Sequence, residues 1–190
     1  MKCDVILAGV GGQGVLSVAA VIATAAVREG LKARQSEVHG MAQRGGAVLA
    51  HLRISDKPIA SDLVPRGGAD MILSMEPLES LRYAVWLAPD GVLVSAAEPL
   101  INIPDYPNLN GILDAIKTFP SHKIVEAAKI AKEAGFARSV NMAMVGAASS
   151  FLPVKKETLE EIILEMFSGK DPAAAEANKK AFVLGRESAK

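Results

Sequence analysis

The amino-acid sequence predicts an α/β fold, a doubly wound and mostly parallel sheet with helices on both faces and a helical C-terminal part. Three observations carry that expectation. Short apolar, β-rich runs alternate with segments of helical periodicity along the chain before residue 140. The first run, CDVILA at Cys3–Ala8, passes through four glycines into a long Ala- and Val-rich stretch. Beyond Val140 the patterns are all helical.

Taken in order, Cys3–Ala8 is apolar without alternation, as in a parallel strand buried on both faces. Val15–Glu29 follows as a helix, with Gly30 placed to close it. Lys32–Val38 resumes as a strand, giving a β-loop-α-β unit. Ala47–Ile54 alternates and reads as a strand with one face partly exposed. Pro58, Pro65, Gly67 and Gly68 mark a turn-rich segment. Asp70–Met75 is a buried strand, Glu76–Leu87 a helix, Pro89-Asp90-Gly91 a turn and Val92–Ala96 a strand. Residues 98–111 hold three prolines and three asparagines and read as a loop with a short edge strand. Ile116–Phe119 is expected as the last strand. Lys123–Ala134, Val140–Phe151, Glu157–Phe167 and Pro172–Leu184 are expected helices.

Bulk properties exclude several classes of function. A chain of 190 residues, half of them hydrophobic, suits one domain with a substantial core, residues 1–190. Lys+Arg and Asp+Glu both total 21, so no net positive charge points to nucleic acid or an anionic membrane. No apolar stretch is long enough for a bilayer, and no basic segment leads into one at the start, so a cytoplasmic location is expected. The one cysteine, Cys3, cannot supply the thiolates of an iron–sulfur cluster, and its place in an apolar strand suits a core residue. His39, His51 and His122 lack metal-ligand spacing, so no metal is expected.

Gly9, Gly11 and Gly14 fit the G-x-G-x-x-G pattern, after a strand and before a helix as the mechanism requires. This is the loop of Rossmann-like folds. The first glycine would permit the turn, the second close approach of a phosphate, the third close helix packing. Free N–H groups and the positive helix end favour an anion. Gly12 and Gln13 fill positions that the dinucleotide pattern leaves open, and the ribose-binding acid expected about 20 residues on is replaced by Arg34. A stand-alone nucleotide-binding or NAD-dependent protein is therefore the alternative reading, and a turn that binds nothing is a third. No lysine follows Gly14 as in nucleotide triphosphatases, and no nucleophile–histidine motif is present.

SEVHGMAQRGG, Ser36–Gly46, leaves the same carboxyl edge of the sheet as the glycine loop and carries Glu37, His39, Gln43 and Arg44. Two polar, glycine-bearing loops at one edge indicate a site. GVGGQG, SEVHGMAQRGG, SDLVPRGGADMILSMEPLE and NMAMVGA occur in that order and together resemble the gamma-type domain of 2-oxoacid:ferredoxin oxidoreductases. HGMAQRGG is most similar to the indolepyruvate branch. The resemblance covers the chain from Asp4 to the C-terminal helices.

It implies a division of labour. A larger alpha subunit would carry thiamine diphosphate and the iron–sulfur clusters, decarboxylate the 2-oxoacid, pass the acyl group to coenzyme A and send electrons to ferredoxin. This chain would be the small, non-redox subunit, without a cofactor of its own and inactive alone. Gly9, Gly11, Gly12, Gln13 and Gly14 would form an anion-friendly loop. Glu37, His39, Gln43 and Arg44 would face the partner or the coenzyme A phosphates, with Arg44 able to hold two oxygens at once. Asn141 would cap the helix it begins, or else serve the site. Met142 and Met144 would pack in the core or an interface. Which aryl 2-oxoacid is used, and whether the separated chain forms homodimers, stay open.

Overall fold

The structure is a computed structural model that describes residues 1–39, 45–169 and 171–189. Its strands are β1 (Lys2–Val10), β2 (Lys32–His39), β3 (Ala47–Ser55), β4 (Ala69–Ser74), β5 (Leu87–Ala96) and β6 (His122–Val125). The helices are α1 (Val15–Arg28), α2 (Pro77–Arg82), α3 (Leu109–Lys117), α4 (Ala127–Glu133), α5 (Val140–Ala148), α6 (Lys156–Ser168) and α7 (Pro172–Ser188). One six-stranded sheet has the order β2-β3-β1-β4-β5-β6. Strands β1, β4, β5 and β6 run parallel, while β3 pairs antiparallel with both β1 and β2. The β1–α1–β2 crossover thus skips one position, and β3 turns back into the gap.

Alternation along the strands divides the apolar side chains between two cores. Val5 and Leu7 join Val18 and Ile22 of α1, Met142 of α5 and Phe182 of α7 on one face. Ile6, Ile72 and Leu93 meet Ile112 and Ile116 of α3 on the other. Helices therefore cover both faces, as expected for strands apolar throughout. Helix α1 ends as its sequence indicates. Gly30 takes φ 81°, its N–H donates to Val27 O, and Leu31 N–H donates to Ala26 O, which satisfies the last carbonyls.

Four local expectations are corrected. Strand β3 is mostly buried on both faces, because its polar residues are covered by residues 56–68 and given partners. His51 is 4% exposed, accepts Val64 N–H at Nδ1 (3.2 Å) and meets Trp86 edge-on. Arg53 forks onto Asp4 at 2.8 and 3.0 Å. Pro89-Asp90-Gly91 lies inside β5, not in a turn. The register against β4 shifts there, and a Cβ on Gly91 would come within 2.8 Å of Ala69 O, so glycine permits the bulge. Ile116–Phe119 closes α3 instead of forming a strand, and the last strand is His122–Val125, which takes the first three residues of the stretch Lys123–Ala134 expected to be helical. The Asn108 side chain starts α3 by accepting Asn110 and Gly111 N–H. Finally, α2 stops at Arg82, where Ala84–Trp86 forms a 3₁₀ turn.

Two buried groups, His51 and Cys3, give testable results. Burial holds the His51 imidazole below its ordinary value of 6.5, with Arg53 adding to the effect. The unfolded chain then takes up this proton first, so stability falls as pH drops through 6.5 and levels off below the folded value. Urea midpoints at pH 7 and pH 5 should differ more for the native chain than for His51→Gln; equal differences would remove His51 from the acid response. Cys3 is 5% exposed, and burial, followed by Asp70 and Asp4, pushes its thiol up to about 12. It should resist a thiol reagent at pH 8 until the chain is unfolded. Rapid labelling of the folded chain would contradict its place in the core. Among the described residues no helix is long and apolar enough to cross a membrane.

Candidate functional site

The carboxyl end of β1 runs into a turn closed by Gln13 N–H on Val10 O (3.0 Å). The Gln13 side chain completes it: Oε1 accepts Val10 N–H at 2.8 Å, and Nε2 donates to Met75 O at 3.1 Å. Gln13 therefore spends one polar atom on its own turn and the other on fastening the loop to a point just past the end of β4. Gly12 supplies the turn with φ 103°. Gly9 lies against α1 and β4, where a Cβ would stand 2.8 Å from Val15 and 3.2 Å from Met75. Gly11 N–H donates to Gly46 O (2.8 Å), and Gly11 O accepts Gly45 N–H (3.1 Å). The work foreseen for the first and second glycines is thus redistributed: Gly9 packs, Gly12 turns, and Gly11 joins the two loops.

Gly14 enters α1 in the left-handed region, at φ 73°. No side chain caps that end, and its first turn has no acid. A Cβ on Gly14 would run into the Asn141 amide. Asn141 is not the cap of α5, a correction to the sequence reading. The capping position belongs to Ser139, and Asn141 Nδ2 donates instead to Gly14 O at 3.4 Å. The geometry prefers this because α5 packs directly behind the loop. Met142 and Met144 beside it are buried.

Over the start of α1 lies a cleft of about 450 Å³. Gly11, Gly12 and Gly14 form one wall and Val15–Ser17 the floor, with Glu37 and Val48 opposite. His39 stands level with Gly9 across Val48, so β2 ends at the same edge as β1. Gln43 and Arg44 lie outside the described residues; Gly45 and Gly46, which follow them, are bonded to the glycine loop. The expected convergence of the two segments is therefore present at Gly11, Gly12, Gly14 and Glu37. An uncapped helix N-terminus under a partly apolar cleft suits an anionic group attached to a less polar body.

A dinucleotide would find a different frame. In the doubly wound site the strand bearing the ribose acid lies beside the first strand, whereas β3 separates β2 from β1 here. Arg34 stands inside β2, paired with Asp62 at 2.8 Å. Among the described residues no three His, Cys, Asp or Glu side chains gather as a metal site. Sequence reading missed Glu76, Asn102 and Tyr106, which hold residues 98–107 at this same edge. The acid before Pro77 was legible as a helix start; its other bonds span 24 and 30 residues.

Fold and site together define an α/β glycine-loop domain with a cleft at the carboxyl edge of its sheet. The chain belongs to the pyruvate ferredoxin/flavodoxin oxidoreductase family, whose model matches residues 4–188. It is 36% identical to indolepyruvate oxidoreductase subunit IorB of Archaeoglobus fulgidus, over 97% of this chain and 94% of that one. It is 30% identical to the common subunit gamma of the pyruvate/ketoisovalerate oxidoreductases of Thermococcus kodakarensis, over 91% and 89% of the two chains. The crystal structure of the gamma subunit of a keto/oxoacid ferredoxin oxidoreductase from Geobacter sulfurreducens superimposes with a TM-score of 0.71 at 26% identity, covering 98% of each chain.

Proposed function

We propose that this chain is the small subunit of an indolepyruvate-type 2-oxoacid ferredoxin oxidoreductase, acting as one gamma-type domain in the cytoplasm. The observation that supports it most is end-to-end correspondence with proteins that are themselves named as subunits of such enzymes. A larger partner holds thiamine diphosphate and the iron–sulfur clusters and passes electrons to ferredoxin. This chain contributes no redox group, since one buried cysteine is far short of a cluster's ligand set. Its cleft over α1 receives an anionic group at the helix end, and coenzyme A, with phosphates on a long organic arm, has the matching chemistry. Arg44 follows as the phosphate-pairing side chain of the 40–46 segment.

Arg44→Lys keeps the charge and loses the planar, two-pronged donor. In the assembled enzyme it should raise the apparent KM for coenzyme A about tenfold, the effect of one lost charged hydrogen bond. Copurification with the large subunit is checked first. An assembled variant with unchanged coenzyme A dependence removes Arg44 from the ligand, and failure to assemble moves it to the subunit interface.

A further inference from the structure

Glu76 is 1% exposed, at the exit of β4. Its Oε2 caps α2 by accepting Glu79 N–H at 2.9 Å. One oxygen suffices for a cap. The other, Oε1, accepts Leu100 N–H at 3.3 Å and the Tyr106 hydroxyl. A buried carboxylate is costly without donors, so both ends of residues 100–106 are drawn to one point. The Tyr106 ring packs on the core that contains Ile6 and Ile112. Burial, then the bond to Glu76, pushes its phenol upward, which keeps it a donor.

Between those anchors Asn102 Nδ2 reaches across the sheet edge and donates to Gly45 O at 2.7 Å. Gly45 and Gly46 carry the connection to Gly11. Gly11 has no side chain to pack, so its place depends on these backbone partners. The residue before Glu76 closes the circuit: Met75 N–H donates to Ala8 O at 2.9 Å, and Met75 O accepts Gln13 Nε2.

We infer that Glu76, Tyr106 and Asn102 are positioning residues that clamp residues 98–107 against Gly45 and so set the glycine wall of the cleft. Their consequence for ligand binding rests on the reading of that cleft as the coenzyme A site. None of the three touches the cleft, and each acts through the next.

Amide hydrogen exchange by NMR on the full chain tests the clamp independently of any ligand. Tyr106→Phe and Asn102→Ala should each speed exchange at Gly11 and Gly45 by about tenfold or more. Ile6 and Leu93, at the sheet centre, should keep their rates. The double variant should be little faster than either single one, because both break one connection in series. Unchanged rates at Gly11 and Gly45, or a uniform rise that includes Ile6 and Leu93, overturn the clamp. Asn102 is exposed, so Asn102→Ala gives the same reading if Tyr106→Phe folds poorly. In the assembled enzyme Asn102→Ala should raise the apparent KM for coenzyme A several-fold with kcat unchanged. Faster exchange with an unchanged KM supports the clamp and overturns the coenzyme A reading.

Discussion

Gly146→Ala is expected to lower the unfolding free energy by about 3 kcal/mol, near the top of the range for an added group with nowhere to go. Helices α5 and α7 cross with their backbones in contact. A Cβ on Gly146 would fall on the Phe182 carbonyl, and one on Gly185 would fall on the Ala143 carbonyl. Backbone atoms inside helices cannot step aside as a side-chain tip can, so the helices must separate, and Met142 and Phe182 lose part of their packing. Gly111→Ala is the matched control. It lies in α3 with nothing near its would-be Cβ, and it should stabilise by about 0.5–1 kcal/mol through the unfolded chain. Urea unfolding of the two variants should therefore show opposite signs. Two similar losses would mean that helix crossing is not what requires Gly146.

Gly14→Ala should damage both stability and the cleft. Alanine in the left-handed region costs about 1–2 kcal/mol, and its methyl group would displace the Asn141 amide. The start of α1, the cleft floor, then tilts away from the glycine wall. We expect coenzyme A-dependent turnover of the assembled enzyme to fall by at least about tenfold. Gly12→Ala separates the two causes, because Gly12 has φ 103° but open space around its Cβ position; it should show backbone strain alone. Adding Asn141→Ala to Gly14→Ala removes the obstruction and should return the steric share of the loss. A double variant as weak as Gly14→Ala alone would place the whole effect in the backbone.

How far the sequence discloses this molecule follows from which forces are local. The glycine loop, α1 and its Gly30 stop were legible because periodicity, turn chemistry and capping act within a few residues. The insertion of β3 beside β1 was not, since alternation looks the same whichever neighbour a strand chooses. His51 and Arg53 gave β3 a half-exposed pattern, and only the covering segment with Val64 and the facing Asp4 shows why they are buried. Helix α3 was missed because Pro99, Pro104 and Pro107 dominate the stretch, yet Asn108 followed by Leu109, Ile112 and Ile116 carried a cap and helical spacing.

The site divides in the same way. Convergence of the Gly9–Gly14 and Ser36–Gly46 segments was readable from strand direction alone. The roles of individual side chains were not. Gln13 read as part of an anion-friendly loop, and its amide ties that loop together, with Val10 and Met75 as its partners. Asn141 suggested a cap and proved to hold Gly14. Val10 is a near neighbour of Gln13, but Met75 lies 62 residues from it and Gly14 lies 127 from Asn141, beyond any local pattern.

We propose that this chain completes an oxidoreductase whose redox groups reside on a larger partner. The most direct measurement is indolepyruvate-dependent reduction of ferredoxin in the presence of coenzyme A, made on the purified large subunit, on this chain, and on the two together. Neither component alone should turn over, and mixing should restore activity to a complex in which both copurify. Oxoacid-dependent reduction by this chain alone, or activity of the large subunit that is the same with and without it, would contradict the account.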